Sequence, residues 1–367
     1  MFVQTPNLLN KIYSKITNRL QKSLVEGIPE GLTFEQLAKL CRQNWNEQLV
    51  KVSYIHLSSW KAAGSYRLLL KTKKGKIKRL VYKNAIYSID HIPALEGLPV
   101  IPGFPEYLVY KNVYQNPQPA IGEYLPNVYH VKEIIPQKHY QYFLEDLGNE
   151  YSITAYQPKV SLKVAQNISA LHRAMKDFFP EAEQSRLLRY DGKFSSAIQE
   201  YFCKNIESYL EKTNNQNIYE VYQLWSQISK LYVRQEFQEL QTNQPMHGDL
   251  NVSNILIHKK HPDQIKFIDW EWAGLGKVHA DLASLFTNSE PEIENQALVI
   301  FAAHNKELSF EEHYRSYHWC QLERGLLDAA FIAAQQLQSS HQSDFLSSSE
   351  FIENAMRNIL KSYQKLI

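Results

Sequence analysis

Asp249, Asn254 and Asp269, two carboxylates and an amide set among apolar segments, are the residues whose types and spacing could do chemistry. They lie in His247-Gly248-Asp249-Leu250-Asn251-Val252-Ser253-Asn254-Ile255-Leu256 and, fifteen positions after Asn254, in Phe267-Ile268-Asp269-Trp270-Glu271. A hard divalent cation such as Mg²⁺ takes a few protein oxygens and completes its shell with phosphate oxygens and water. Asn254 and Asp269 can supply such oxygens, which leaves Asp249 to orient an attacking hydroxyl and accept its proton. The chemistry this implies is phosphoryl transfer. The elements that must position these groups are also legible. Ile255-Leu256-Ile257 and Ile265-Lys266-Phe267-Ile268 predict two short strands joined by a turn at Lys259-Lys260-His261-Pro262-Asp263, with the loop at one end and Asp269 at the other.

The interval between Asp249 and Asn254 is that of the protein-kinase catalytic loop, where a base Asp precedes a metal-binding Asn by five residues and a second metal-binding Asp follows downstream. The wording differs: His-Gly-Asp replaces His-Arg-Asp, and Asp-Trp-Glu replaces Asp-Phe-Gly. In this form the segment resembles the aminoglycoside phosphotransferase and choline kinase family of small-molecule kinases. The match continues through Ala273-Gly274 to Asp281-Leu282-Ala283. The resemblance implies an α+β, bilobal, protein-kinase-like fold, with a small antiparallel β-sheet N-lobe and a mainly helical C-lobe. It implies ATP, with GTP as the alternative, and Mg²⁺ as cofactors. It also assigns roles: Asp249 as base, His247 as a brace of the loop, Asn254 and Asp269 as metal ligands, and Asp281 as a structural acceptor that ties the loop down.

Composition narrows the class without naming a partner. A chain of 367 residues, 44% hydrophobic, can bury a large core. Lys+Arg 40 against Asp+Glu 38 leaves a net charge of +2 and no long like-charge block, so a nucleic-acid partner is not expected. Cys41, Cys203 and Cys320 are widely spaced and odd in number, which favours a reducing compartment over a disulfide framework. With no apolar run long enough to span a bilayer, no membrane partner is expected, and cytoplasmic localisation is.

Three domains are expected: 1–48 as a helical N-terminal extension, 49–148 as the nucleotide-binding N-lobe and hinge, and 149–367 as the helical C-lobe. In the first, Leu8, Leu9, Ile12, Ile16 and Leu20 recur at helical spacing, and Thr33-Phe34-Glu35-Gln36 reads as a capping box. This extension packs on the first lobe or offers a dimer surface, so monomer and homodimer both stand. From Leu49 the pattern predicts strands over 49–57, 66–72 and 77–83, with a turn region from Ser58 to Gly64 that would cover the nucleotide phosphates through Gly64 and Ser65. Lys83 is the candidate phosphate-contacting lysine, with Lys71 and Arg79 as competitors; its partner carboxylate is Glu106 on the next helix, with Glu96 as competitor. Strands over 128–135 and 140–144 lead to Glu145-Asp146-Leu147-Gly148, which resembles the family hinge; residues 144–148 are the adenine site, through backbone groups more than side chains.

Beyond the hinge the periodicity is helical, with Leu162, Ala165, Ile168, Leu171 and Met175 on one face and His172 read as a packing histidine. Helices are predicted at 195–212, 217–240, 310–337 and 349–366, with a loop at 338–348. On the acceptor side the candidates are Glu271 and Trp272, with Tyr317 and Glu323 from the 310–325 segment. Aromatics with carboxylates suit an amino alcohol or an amino sugar through cation-π contact and ion pairing. Two other readings stand beside the small-molecule kinase: a catalytically inactive nucleotide-binding module, which would be expected to have lost one of the three polar residues, and a protein Ser/Thr kinase, which would be expected to carry an activation segment ending in Ala-Pro-Glu.

Overall fold

Alternation of buried and less buried side chains along 49–86 is converted into consecutive antiparallel strands in the computed structural model of the chain. The structure describes residues 24–60, 63–87, 93–99, 104–115, 119–153, 158–176, 178–179, 184, 187–234, 243–287, 289–338 and 345–367. The helical pattern read at Leu8–Leu20 and most of the 338–348 loop lie outside them.

In chain order the principal elements are β1 (Val25–Glu26), α1 (Phe34–Trp45), β2 (Leu49–Trp60), β3 (Ala63–Thr72), β4 (Ile77–Ile86), α2 (Phe104–Gln115), β5 (Val128–Ile135), β6 (His139–Glu145), β7 (Tyr151–Ile153) and α3 (Pro158–Met175). They continue as β8 (Leu188–Arg189), α4 (Gly192–Thr213), α5 (Gln216–Gln223), β9 (Gln244–Met246), β10 (Ile255–His258), β11 (Ile265–Phe267) and β12 (Gly274–Gly276). The chain ends with α6 (His279–Phe286), α7 (Pro291–His304), α8 (Phe310–Gln338) and α9 (Phe345–Leu366). Contacts divide the chain into two units, one drawn from 1–91, 107–160 and 252–268, the other from 92–106, 161–251 and 269–367.

The first unit holds a six-stranded sheet in the order β1-β2-β3-β4-β6-β5. Helix α1 covers one face. It begins as the capping pattern predicts: the Thr33 hydroxyl accepts from the Gln36 amide at 3.2 Å, and the Gln36 side chain accepts from the Thr33 N–H at 2.8 Å. Its Leu37, Leu40 and Cys41 enter a cluster with Val52, Leu68, Leu80, Tyr82 and Phe143. Burying the two leucines alone contributes roughly 3–6 kcal/mol. The opposite face carries Tyr140 and Tyr142, which meet Tyr107 and Tyr110 of α2 at ring separations of 4.8 and 5.5 Å.

Two sequence readings are corrected here. Val25–Glu26, inside the stretch read as helical, is a strand paired with β2 at Tyr54 and Ser53. The turn expected over 58–64 is shorter: pairing runs on to Trp60↔Ala63, so Gly64 and Ser65 sit within β3. Edge-on contacts of Tyr66 with Tyr54 and His56 keep the ladder together this far. β7 pairs with β10, which pairs with β11, so the chain to 160 and the hairpin over 252–268 group with the six-stranded sheet.

The second unit is helical around α8, whose buried residues include Leu322, Leu326, Ala329, Ala330 and Ala333. The small side chains let neighbouring helices approach closely. α8 follows the predicted 310–337, and α9 starts four residues before the expected Ser349. A small sheet, β8-β12-β9, leads directly into the motif around Asp249. Among the described residues no helix is long and apolar enough to cross a membrane.

Candidate active site

The loop at 247–249 is fixed by its own backbone needs. After β9, Gly248 takes φ +83°, and a Cβ there would stand 2.0 Å from the Trp272 carbonyl oxygen. Glycine is therefore required twice over, by conformation and by contact, which is why His-Gly-Asp stands where a protein kinase has His-Arg-Asp. The Tyr190 hydroxyl donates to the same Trp272 carbonyl at 2.5 Å, and burial beside Asp249 and Asp281 pushes its phenol far above the usual range, so it stays a donor.

Asp281, in the first turn of α6 and 0% exposed, anchors this loop. Its carboxylate accepts from the backbone N–H of His247 and of Gly248 and from Nε2 of His172, each at 2.8 Å. Burial alone would raise the carboxyl, but the hydrogen bond and charge interaction with His172, with those of His247, overcome it and hold it below its ordinary value. His172, read from the sequence as a packing histidine, is buried and hydrogen-bonded to this carboxylate. His247 is also fully buried, its ring 4.4 Å from that of Trp270, with Nδ1 facing the Asp249 N–H at 3.4 Å.

Asp249 is half-buried and gripped from two sides. Oδ1 accepts from Nη1 of Arg324 at 2.9 Å, and Oδ2 accepts from the Asn251 side chain at 3.2 Å. Nε of Arg324 donates in turn to Asp328 at 2.9 Å. Burial works against the Arg324 cation, yet Asp328 and Asp249 together raise its pKa, so it stays charged. Sequence reasoning missed this clamp. The signal available was Arg324 and Asp328 at i,i+4 on one long helix, which does not reveal Asp249 as a further partner.

Asp269 holds φ +66°, one of four non-glycine residues with positive φ among those described, a costly conformation that clusters at functional sites. Carboxylate oxygens of Asp269, Glu271 and Glu106 all lie within 4.8 Å of one another. Three like charges so close repel unless a cation is shared, and hard oxygen donors are what Mg²⁺ takes, so this donor set fits the metal. Glu271, expected on the acceptor side, is grouped with these donors. In the other unit, Asn254 is buried at the end of a 3₁₀ turn, Val252–Asn254, and its carbonyl accepts from Ile268 N–H at 3.0 Å.

On the nucleotide side, Lys83 of β4 lies opposite Ser65 on one neighbouring strand and Tyr142 on the other. Directly opposed residues share a face, so Lys83 stands on the face that receives α2. Glu106, 1% exposed, is in the first turn of that helix. At the hinge, Asp146 pairs with Arg67 at 2.7 Å and accepts from Gly148 N–H at 3.1 Å, and Glu145 accepts from the Asn127 backbone and side chain at 3.1 and 2.9 Å. Leu147 is buried. These side chains serve the hinge's own structure.

Of the acceptor candidates, Tyr317 is 0% exposed and its hydroxyl accepts from Gln321 at 2.9 Å, a core position. Trp272 contributes its carbonyl to the loop, and Glu323 accepts from the Ser195 hydroxyl. One helix turn before Glu323, the Trp319 ring has the Lys277 ammonium 5.6 Å from its centroid. Neither Lys277 nor Tyr190 was read from the sequence.

A carboxylate on a glycine loop, an Asp in a strained turn among oxygen donors, and an antiparallel sheet bearing a strand lysine accompany a protein-kinase-like fold. Residues 142–320, which include the whole motif region, match the model of the phosphotransferase enzyme family. A curated relative, the Protein LicA homolog of Metamycoplasma hominis, is 28% identical over 156 residues, 42% of this chain and 51% of the relative. The chain thus matches about half of that relative's length. Among solved structures, a spectinomycin phosphotransferase in complex with ADP and spectinomycin superposes with TM-score 0.56 at 14% identity, covering 91% of this chain and all of the other. A Plasmodium vivax ethanolamine kinase superposes with TM-score 0.52 at 12% identity, covering 92% and 95%. At these identities the likeness shows the fold.

Proposed function

We propose that this protein transfers the γ-phosphoryl group of ATP, with Mg²⁺, to a hydroxyl of a small molecule, in the class of amino alcohols, amino sugars and related compounds. GTP is the alternative donor. The observation that carries the reading is the fixed carboxylate of Asp249, held by Arg324 and Asn251 on a loop anchored by Asp281. Asp249 accepts the hydrogen bond of the acceptor hydroxyl, keeps its oxygen in line with the phosphoryl group, and takes the proton as the new P–O bond forms. Because the transition state is loose, most of the benefit comes from position. Asn254 and Asp269 are the residues that would hold Mg²⁺, with Glu271 beside Asp269. When bound, the cation offsets negative charge on the phosphate oxygens. Lys83, with Glu106 as the carboxylate that orients its ammonium, and Ser65 are assigned to the nucleotide phosphates, and backbone groups of 144–148 to adenine. His247 keeps the loop in shape.

The acceptor class rests on the carboxylate of Glu323 beside Arg324 and on the solved neighbours, one holding spectinomycin and one an ethanolamine kinase. Presence of all three polar residues of the motif favours an active enzyme over an inactive binding module. The test is label transfer from [γ-³²P]ATP, with Mg²⁺, to a panel of small alcohols and to mixed proteins. We expect a labelled small molecule, and a loss of about 10²–10⁴-fold in Asp249→Asn. Label on serine or threonine of the proteins, or transfer unchanged in Asp249→Asn, contradicts the reading.

A further inference from the structure

Lys277 lies immediately after β12 and is 5% exposed. Among the described residues its ammonium has no hydrogen-bond acceptor and no carboxylate within ion-pairing distance. It lies over the face of Trp319, 5.6 Å from the ring centroid. A buried charge without a counter-ion is costly, and even the partly buried cation of this unit on α8, Arg324, is satisfied by two carboxylates. The surroundings are otherwise aromatic and polar. Tyr232 packs on Trp319 at 4.5 Å, Cys320 lies near enough for Lys277 to act on its thiol, and Glu323, one turn along α8, is engaged by Ser195.

We propose that Lys277 binds an anionic group of the acceptor molecule, a carboxylate or a phosphate, while the acceptor hydroxyl meets Asp249. This deepens the phosphotransferase reading and rests on it. The scale agrees. Arg324 touches Asp249, and Trp319 lies five residues earlier on the same helix, about 7.5 Å along its axis. That span suits a small molecule with a few bonds between its hydroxyl and its acidic group. The π face of Trp319, which a quaternary or primary ammonium would seek, is already held by Lys277. An acceptor amine is therefore left to the carboxylate of Glu323, and the anion is the group that Lys277 selects.

The experiment measures ADP release with matched pairs of alcohols that differ by an acidic group: glycerol against glycerate and glycerol 3-phosphate, propanediol against lactate, ethanolamine against serine. Wild type is expected to favour the acidic member of a pair by at least ten-fold in kcat/KM. Lys277→Met, one atom shorter, uncharged and able to rest on Trp319, is expected to erase that preference through the acceptor KM, and Lys277→Arg to restore it. The glycerate and glycerol 3-phosphate arms separate a carboxylate from a phosphate. Equal or better turnover of the neutral and amine alcohols, or a preference that persists in Lys277→Met, overturns the anion site and leaves the kinase reading intact. A chain that binds Mg·ATP by thermal shift yet turns over no alcohol at all overturns both.

Discussion

Replacing Asp281 by Asn removes the charge at the point where the loop is tied to α6, and its cost can be worked out bond by bond. Oδ2 accepts from His247 N–H and His172, and Oδ1 from Gly248 N–H, all at 2.8 Å in a fully buried setting. An asparagine oxygen placed at Oδ2 keeps the first two, but its NH₂ then faces the Gly248 N–H, donor against donor. Losing one charge-assisted bond costs about 1.5–3 kcal/mol and leaving the amide without an acceptor about 1–3 more, so roughly 3–5 kcal/mol is expected. For a unit of this size that is a fall in Tm of about 6–20 °C. Because Gly248 precedes Asp249, the loop shifts, and an ångström of misplacement costs roughly 10²-fold in rate. Differential scanning calorimetry and steady-state turnover on wild type, Asp281→Asn and Asp281→Ala check both numbers. Acid unfolding adds a sign. The folded carboxyl is held below its unfolded value, so its stabilisation is full above the unfolded pKa of about 4 and fades as pH falls through the folded one. Asp281→Asn should therefore show a shallower loss of stability with acid than wild type. A variant within about 2 °C of wild type, with normal turnover, would refute the anchoring role.

The other predictions follow from single contacts. Gly248→Ala places a Cβ 2.0 Å from the Trp272 oxygen at φ +83°, and activity should fall at least as far as in Asp281→Asn, measured as kcat at saturating substrates; retention of more than half the wild-type rate contradicts the geometry. Arg324→Met frees Oδ1 of Asp249 and leaves the partly exposed Asp328 without its partner, so kcat should fall while the ATP KM holds, with Arg324→Lys recovering part of the rate. An unchanged kcat in Arg324→Met would show that Asn251 alone orients the base. Asp269→Gly relieves the positive φ, so the folded state should be as stable as wild type or more so by calorimetry, even as Mg²⁺-dependent turnover is lost.

Much of the site was legible because its chemistry is local in sequence. Asp249, Asn254 and Asp269 flank one hairpin at short sequence intervals, and the capping box at Thr33, the strand at Ile77–Ile86 and the helix at Phe310–Gln338 follow from short-range patterns. What was not legible is long-range. Arg324 reaches Asp249 from 75 residues away, and His172 reaches Asp281 from 109. Pattern reading gave Arg324 only its helical neighbours. Tyr317 and Glu271 illustrate a second limit. An aromatic and a carboxylate near the motif suit an acceptor cleft by type, but burial decides that Tyr317 fills the core, and the backbone turn at Asp269 decides that Glu271 joins the oxygen donors. Strand ends were misjudged at Gly64 and Ser65 because glycine and serine read as turn residues, whereas the neighbouring strand extends to pair with them.

The most direct test of the central claim is thermal shift with Mg·ATP on wild type, Asp249→Asn and Asp269→Ala. At 100 times its dissociation constant a ligand of the folded state stabilises by about 2.7 kcal/mol. The account predicts that shift in wild type and in Asp249→Asn, whose defect lies in transfer, and its loss in Asp269→Ala. No shift in wild type at millimolar Mg·ATP, or an equal shift in Asp269→Ala, would contradict it.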